Sequence, residues 1–380
     1  MQLVLSEDQE LLAKTAADFV KERSPVARVR ALRDRGDATG FSRELWKEMA
    51  ALGWVGIPFP EAVGGAGMGL AELAVVLEQL GRGLAPEPFL STVCLGGSAL
   101  RLGGSEAQRK AWLPGVVEGA ILLTLAHQEP GSRYDLHRVA TRAERDGAGW
   151  RLRGAKTGVL DGHTADALVI PARTGGAERD PHGITLCLVR QGAAGLRVER
   201  QTRLDGRGAA HVTLDGVRVG AEDVVGAVDA GGDLLEQVVD VATLGLSAEM
   251  LGSMSEAFER TLAYLKQREQ FGVAIGTFQA LKHRAARLYI EIELARSALM
   301  AAARAVDEGS AEARRLVSMA KARCSDAGML VANEAVQMHG GIGMTDEHEI
   351  GFFLKRARAA ELSFGDGSHH RDRWARLGGY

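Results

Sequence analysis

A short segment near the C-terminus carries the densest group of reactive side chains. The ten residues FGDGSHHRDR, Phe364 to Arg373, contain two aspartates, two histidines and two arginines. Such side chains bind metals or exchange protons, but adjacent and three-residue spacings on one segment seldom supply a full ligand set by themselves. We therefore expect no metal site. Asp366 or Ser368 ahead of HHRDRWARL is typical of a helix N-terminus, which is the default interpretation.

Two other segments combine charged, aromatic and glycine residues beside helices. In QREQFGVAIGTFQALKH, which begins at Gln267, Arg268 could pair with a phosphate and Phe271 could stack on a planar ring. In QMHGGIGMTDE, which begins at Gln337, the glycines allow backbone N–H groups to face an anion such as a pyrophosphate. Taken alone, each segment also fits an ordinary loop that ends a helix.

The composition restricts the class of protein. The chain has 380 residues, of which 46% are hydrophobic and 25% charged, with a formal net charge of −3. These values are ordinary for a globular protein and offer no basic field for nucleic acid. No apolar run approaches the roughly 20 residues that cross a bilayer, and MQLVLSEDQE lacks the positive charge of an export signal. We expect a cytoplasmic protein without nucleic-acid or membrane partners, whose three scattered cysteines are buried thiols.

The elements that must position these segments change from helical to extended and back along the chain. Residues 1–119 and 229–380 repeat apolar side chains at three- and four-residue steps. Residues 120–228 instead alternate β-like runs with turn formers; these runs are 139–145, 150–160, 167–173, 184–190 and 211–220. Asp146-Gly147 and Asp215-Gly216 are expected hairpin turns. The predicted fold is α+β and multidomain, with an N-terminal helical domain, a central β-barrel or sandwich, and a C-terminal four-helix bundle.

Together these features resemble the acyl-CoA dehydrogenase superfamily over nearly the whole chain. The resemblance is carried by the REQFG and IGTFQALKH block, the QMHGGIGMTDE block, PEAVGGAG with EQLGR near the N-terminus, and an EPG turn at Glu129. The helix, sheet, helix order of the domains is also that of the superfamily. The resemblance implies an oxidoreductase of lipid or steroid catabolism, with FAD as cofactor, acyl-CoA as substrate and an electron-transferring flavoprotein as electron acceptor.

The resemblance also assigns cofactor contacts to individual residues. One group of matching positions belongs to the pyrophosphate and adenine side of FAD: Arg268, Gln270, Phe271, Ile275, Phe278 and Gln279. A second group, Gln337, Gly340 and Gly341, matches a glycine loop that receives the ADP half of FAD across a subunit interface. That sharing implies a homo- or hetero-oligomer, either a dimer or a tetramer. Gln128 and Ser368 are expected at the cofactor as well, with His127 and Tyr134 near the flavin.

The catalytic base is the place where the sequence departs from the superfamily. A glutamate usually removes the α-proton of the acyl-CoA while the β-hydrogen leaves as hydride to the flavin, giving the 2,3-enoyl-CoA. This chain has Asp366 at the usual glutamate position and Ala242-Thr243 at the alternative one, so Asp366 is the only carboxylate at either. Aspartate is one methylene shorter, and a misplacement of about 1 Å can lower a rate about a hundredfold.

Three interpretations of the chain stay open. Asp366 is the base of a dehydrogenase for an unusual acyl group, such as a steroid side chain or a dicarboxyl-type chain. Alternatively, the chain resembles the companion subunits of heteromeric pimeloyl-CoA or steroid side-chain dehydrogenases and only completes a partner's FAD site. A flavin oxidase with Asp366 as base is the third. Gly158 stands where the superfamily has a tryptophan over the flavin, which fits the companion interpretation.

Overall fold

The first part of the chain is helical, and half of its α-helices begin at a capping side chain. The computed structural model describes residues 4–380. The helices before the sheet are α1 (Glu7–Arg23), α2 (Val26–Asp34), α3 (Arg43–Ala51), α4 (Leu70–Arg82), α5 (Ser98–Gly103) and α6 (Glu106–Val117). Ser6, Ser42 and Ser105 each accept a backbone N–H of the first turn, which satisfies a donor that the helix leaves open. A buried nine-residue π-helix, Phe89–Gly97, precedes α5.

The central part forms one eight-stranded sheet. Its strands are β1 (Leu123–Leu125), β2 (Arg142–Asp146), β3 (Gly149–Leu160), β4 (Ala167–Arg173), β5 (Ile184–Arg190), β6 (Leu196–Thr202), β7 (Gly208–Val219) and β8 (Val224–Val225). They follow the order β6-β7-β3-β2-β4-β5-β8, with β1 parallel to β4. The predicted β-domain is confirmed. It is not a closed barrel, because within residues 4–380 the end strands β6 and β8 do not pair with each other.

One of the two predicted hairpin turns is wrong. Asp215-Gly216 lies inside β7, where Gly216 has a φ of 73° and is the extra residue of a β-bulge opposite β3. Asp146-Gly147 does form the β2–β3 hairpin, which Asp146 closes by pairing with Gly149. Aspartate-glycine pairs suit both features, because each places glycine in the left-handed region.

The last part is again helical, and the second and third of its helices pack antiparallel. They are α7 (Gly231–Gln267), α8 (Gln279–Asp307), α9 (Ala313–His339), α10 (Ile350–Leu362) and α11 (Gly367–Leu377). A two-stranded ribbon of β9 (Glu269–Gln270) and β10 (Val273–Ala274) connects α7 to α8. Arg284 pairs with Glu334 at 2.5 Å and Arg323 with Glu291 at 2.8 Å, so α8 and α9 run in opposite directions. The start of α8 therefore lies beside the end of α9.

The chain divides into two compact units. The helical unit contains α1, α2 and α4 together with Thr243–Tyr380, and the sheet unit contains Gly36–Met68 and Pro86–Ala242. The three-domain boundaries near residues 119 and 228 stay predictions.

Candidate functional site

The connection between α7 and α8, residues 268–278, presents an aromatic tip. Phe271 and Gly272 lie at the tip with φ values of 57° and 79°, the two left-handed conformations of a type I′ turn. The Phe271 side chain is 90% exposed and meets Phe278 edge-on, with ring centroids 6.1 Å apart. A phenylalanine is unusual in this conformation, and its exposure is unfavourable in water. The tip therefore offers a ring for a ligand to cover.

The remaining predicted residues of this connection surround the tip. Arg268, Gln270 and Gln279 are exposed, and Ile275 is half-buried. The N–H of Ile275 donates to the carbonyl of Arg268 at 2.8 Å and closes the connection on itself. A guanidinium, two amides and an aromatic ring on one exposed segment can bind a phosphate and stack a planar ring.

A second predicted segment, the glycine loop of residues 340–345, follows α9. Gly340 ends the helix with φ 65° and ψ −144°, a conformation that is essentially restricted to glycine. A Cβ at Gly340 or Gly341 would meet no atom within 4 Å, so the backbone faces open space. Gln337 is exposed one turn earlier. No contact within the chain requires glycine at position 341. Its backbone, which no side chain covers, suits the close approach of an anion.

Three aromatic rings in mutual contact join the connection to the glycine loop. Tyr264, in the last turn of α7, stacks on His339, the last residue of α9, with centroids 4.4 Å apart. His348 lies against the same His339 ring at 4.6 Å. Burial lowers the pKa of His339, so the ring is neutral, and its Nδ1 donates to the carbonyl of Ala335 at 2.7 Å. The stack holds the ends of α7 and α9 together, and with them the two predicted cofactor segments.

Asp346 anchors the far side of the glycine loop. Both terminal nitrogens of Arg33, on α2, donate to its carboxylate at 2.6 Å, and Arg30 adds a third bond at 3.1 Å. Hydrogen bonding to Arg33 lowers the pKa of Asp346 to about 2. The loop is thus held between His339 on one side and Asp346 on the other.

In the sheet unit, Gln128 lies against Gly158 of β3. The N–H of Thr157 donates to the carbonyl of Gln128 at 2.8 Å, and a Cβ at Gly158 would lie 3.1 Å from the Gln128 Oε1. Gly158 has a φ of 60° where the pairing of β3 with β7 is interrupted. His127 and Tyr134 are both half-buried, and desolvation lowers the pKa of His127 to about 4. A large side chain at Gly158 would require a different backbone and a displaced Gln128.

A buried ion pair anchors the turn that follows Gln128. The Nζ of Lys156 donates to Glu129 at 2.6 Å, and the N–H groups of Ala140 and Thr141 donate to the same carboxylate at 2.6 and 3.0 Å. Burial opposes ionisation of Glu129, but the ammonium and the hydrogen bonds outweigh it and lower the pKa of this carboxyl. The turn is therefore tied to the interior of β3.

The segment FGDGSHHRDR is a helix start, as the default interpretation predicted. Asp366 is the N-cap of α11, and its Oδ1 accepts the N–H of His369 at 2.8 Å. Ser368 is exposed. His370 is only 2% exposed, and its Nε2 lies 3.1 Å from the carbonyl oxygen of Phe364. The N-cap bond and the helix dipole both stabilise the anionic carboxylate of Asp366.

Sequence reasoning missed Lys321 on α9. The side chain is fully buried, and its Nζ donates to the carbonyls of Gly365 at 2.7 Å and Glu361 at 3.0 Å. A signal was present, because Lys321 lies on the apolar face that Val317 and Cys324 define. A lysine on a buried helical face requires fixed hydrogen-bond partners.

The two segments around Phe271 and Gly340 offer ring and anion recognition. Within residues 4–380, no three histidine, cysteine, aspartate or glutamate side chains form a group that could hold a metal ion. Over the same range, no helix combines the length and the apolar character needed to cross a membrane.

Comparison with known families covers almost the whole chain. The model described as acyl-CoA dehydrogenase, N-terminal domain, matches residues 6–120. The models of the middle and C-terminal domains of the same family match residues 124–217 and 229–377.

Individual proteins of similar sequence and structure match over similar lengths. Acyl-CoA dehydrogenase FadE12 of Mycobacterium tuberculosis is 30% identical over 363 residues, which cover 94% of this chain and 92% of the relative. The ChsE4-ChsE5 complex from Mycobacterium tuberculosis contains a chain with a TM-score of 0.90 and 30% identity, covering 100% and 99% of the two chains. The steroid ACAD Tcur3481-Tcur3483 gives a TM-score of 0.87 and 34% identity, with 98% of each chain covered.

Proposed function

This chain belongs to the acyl-CoA dehydrogenase family, an FAD-dependent family of oxidoreductases acting on acyl-CoA, and from that membership we propose which of its residues serve the reaction. Phe271 stacks on the adenine of FAD, and Arg268 pairs with the pyrophosphate. Gln270, Ile275, Phe278 and Gln279 lie beside them. Gln337, Gly340 and Gly341 receive the ADP half of a cofactor shared between subunits.

The observation that carries this assignment is the exposed Phe271 ring, held in a left-handed turn at the same end of the α8–α9 pair as the glycine loop. The chemical types of these residues fit the parts of FAD. A guanidinium suits a diphosphate, an uncovered ring suits a purine, and an unobstructed glycine backbone suits close approach by a phosphate. Gln128 and Ser368 are assigned to the flavin half, with His127 and Tyr134 nearby.

Bound FAD supplies the acceptor for the hydride that leaves the β-carbon of the acyl group. The chain must take the α-proton, and we assign that role to Asp366. The α-hydrogen of a thioester is a weak acid, so hydrogen bonds to the thioester oxygen in a dry pocket have to stabilise the developing enolate. The N-cap bond from His369 holds the Oδ1 of this carboxylate at the start of α11.

A second candidate function, the companion subunit, rests on two specific observations. Asp366 already has a structural task as the cap of α11, and Gly158 with Gln128 stands where the family has an indole. In this interpretation the chain completes the FAD site of a related partner that supplies its own glutamate. The names ChsE4-ChsE5 and Tcur3481-Tcur3483 each join two proteins, which agrees with a paired arrangement.

We further propose a cytoplasmic homo- or heterotetramer that works in lipid or steroid catabolism and passes electrons to an electron-transferring flavoprotein. The exposed residues Ile290 and Leu294, one turn apart, form a short apolar stripe on α8 that a second subunit would cover. Cys94, Cys187 and Cys324 are buried and take part in no disulfide among the described residues, as expected in a reducing compartment.

The flavin spectrum tests the proposal. The chain is purified alone and together with the product of a neighbouring gene of the same family, and butyryl-CoA, isovaleryl-CoA and a steroid side-chain CoA thioester are added without oxygen. We expect bound oxidised flavin that one of these thioesters bleaches. Colourless protein in every combination would contradict the cofactor assignment. Release of hydrogen peroxide in air would point instead to the oxidase alternative.

A further inference from the structure

The turn that carries Asp366 has two successive residues at positive φ, and the first of them, Phe364, is strained. Phe364 has a φ of 59° and Gly365 a φ of 116°. A Cβ at Gly365 would lie 2.5 Å from the Cδ2 of His369 and 2.8 Å from the Nε2 of His370, so only glycine fits. A left-handed phenylalanine persists only where its surroundings enforce the conformation, and such strain concentrates at functional sites.

Two buried basic side chains bind the carbonyls of these two residues in succession. The Nε2 of His370, on α11, is 3.1 Å from the oxygen of Phe364, and the Nζ of Lys321, on α9, is 2.7 Å from the oxygen of Gly365. A carbonyl oxygen only accepts, so both nitrogens are the donors. Lys321 is 0% exposed and His370 is 2% exposed. The strained turn is therefore fixed from two different helices.

The hydrogen bonds of Lys321 use every donor that its ammonium has. Besides the Gly365 carbonyl, it donates to the carbonyl of Glu361 and to the Oγ of Ser325, both at 3.0 Å. Two of the three acceptors belong to the end of α10 and the turn that follows it. Ser325 lies one turn along α9 from Lys321 itself, so only this third bond is internal to the helix.

The charge states of the two side chains suit these bonds. Burial lowers the pKa of Lys321 to about 8, while the negative charges of Glu361 and Asp366 act in the opposite direction. Burial also lowers the pKa of His370 to about 2, and the nearby Lys321 contributes. At neutral pH the lysine is thus mostly an ammonium with three donors, and the histidine is a neutral ring with its proton on Nε2.

We propose that Lys321 and His370 are positioning residues that hold the Phe364–Gly365 turn and thereby fix the carboxylate of Asp366 at the start of α11. Both side chains are buried, so we assign neither of them a contact with the substrate. The catalytic consequence rests on the proposed function, because it takes Asp366 as the base. Since a displacement of about 1 Å can lower a rate about a hundredfold, a short carboxylate on a strained turn requires such support.

Hydrogen exchange in the FAD-loaded protein, with any partner chain present, tests the positioning role without relying on turnover. In the wild type, the amides of His369 and His370 should exchange at least about 100-fold more slowly than in an unstructured peptide. Lys321→Met and His370→Leu each remove one donor to the turn, and should raise these rates about tenfold or more.

Two matched variants separate positioning from general destabilisation. His370→Gln keeps an N–H donor close to the position of Nε2, and Ser325→Ala removes the acceptor of Lys321 that lies outside the turn. Both should stay within about twofold of the wild-type exchange rates. Unchanged rates in Lys321→Met and His370→Leu would overturn the proposal. The proposal would also be overturned if the wild-type amides of His369 and His370 exchanged as fast as those of an unstructured peptide. This measurement does not depend on the folding of any variant.

Kinetics then distinguish this proposal from the assignment of the base. The substrate is whichever of butyryl-CoA, isovaleryl-CoA and the steroid side-chain CoA thioester bleaches the flavin fastest. With this substrate, Lys321→Met should lower kcat about 10- to 100-fold and leave KM unchanged. Ser325→Ala and His370→Gln should retain kcat. If Asp366→Asn keeps the wild-type rate although Lys321→Met loosens the turn, the positioning role stands and the base assignment fails.

Discussion

At the scale of single residues, the capping task that Asp366 has in the structure partly conflicts with its proposed task as the base. Its Oδ1 accepts the N–H of His369 at the start of α11, and that bond favours the anion. Proton transfer requires the same carboxylate to become protonated in every turnover. Aspartate caps helices well, whereas glutamate at the same position reaches past the cap. The shorter side chain therefore fits the capping task better than the family's usual glutamate.

Phe271 allows cofactor binding to be separated from folding. Phe271→Gly removes the stacking ring and relieves the left-handed conformation. We expect the dissociation constant for FAD to rise about 10- to 100-fold, since stacking on a base contributes about 1–3 kcal/mol. The free energy of unfolding of the FAD-free chain should stay equal or rise by about 1 kcal/mol. FAD titration by fluorescence and urea unfolding measure the two effects.

Phe271→Tyr is the control for this prediction, because it keeps the ring and should keep the affinity for FAD. If Phe271→Gly binds FAD as tightly as the wild type does, the proposed stacking role of Phe271 is contradicted.

Sequence patterns identify the segments that we propose to bind the cofactor, but they do not reveal the support behind the Asp366 turn. Arg268, Phe271 and Gly340 belong to contiguous motifs, so their types and spacing are enough to indicate a ligand. Lys321 lies 44 residues from the Gly365 carbonyl that it binds. Its role depends on the packing of α9 against a turn with two positive φ values, which no local pattern encodes.

At the scale of elements, the turn after Gln128 depends on the buried pair of Glu129 and Lys156. Glu129→Gln leaves the ammonium of Lys156 buried without its counter-charge, and should lower the free energy of unfolding by about 3–5 kcal/mol. Urea unfolding of the purified chain measures this loss. Glu129→Gln combined with Lys156→Met should recover part of the loss, because no charge is then left unpaired. A single variant within about 0.5 kcal/mol of the wild type would show that the pair does not anchor the turn.

The strands show where periodicity is informative and where it is not. The predicted runs that became β4 and β5 are almost wholly buried, so their apolar residues stand out. Strand β6 (Leu196–Thr202) was missed because it is an edge strand with charged and mostly exposed side chains. The Asp215-Gly216 bulge was taken for a turn because both features place glycine at positive φ.

At the scale of the whole molecule, the stripe on α8 predicts assembly. Leu294 lies in this stripe and is 49% exposed. Leu204 is 63% exposed, but it belongs to the sheet unit and not to the stripe. Leu294→Lys should shift the protein to a smaller mass in light scattering after gel filtration, and FAD occupancy should fall with it. Leu204→Lys, the matched control, should change neither. An unchanged mass and FAD content in Leu294→Lys would exclude the stripe as a subunit contact.

The most direct test of the account is the rate of flavin reduction in Asp366→Asn. Asparagine caps helices as well as aspartate does, so α11 and the bound flavin should be retained while the base is lost. With the same acyl-CoA under anaerobic conditions, we expect the rate of flavin bleaching to fall about 10²- to 10⁴-fold. A variant that bleaches at the wild-type rate would contradict the account and assign the base to a partner subunit.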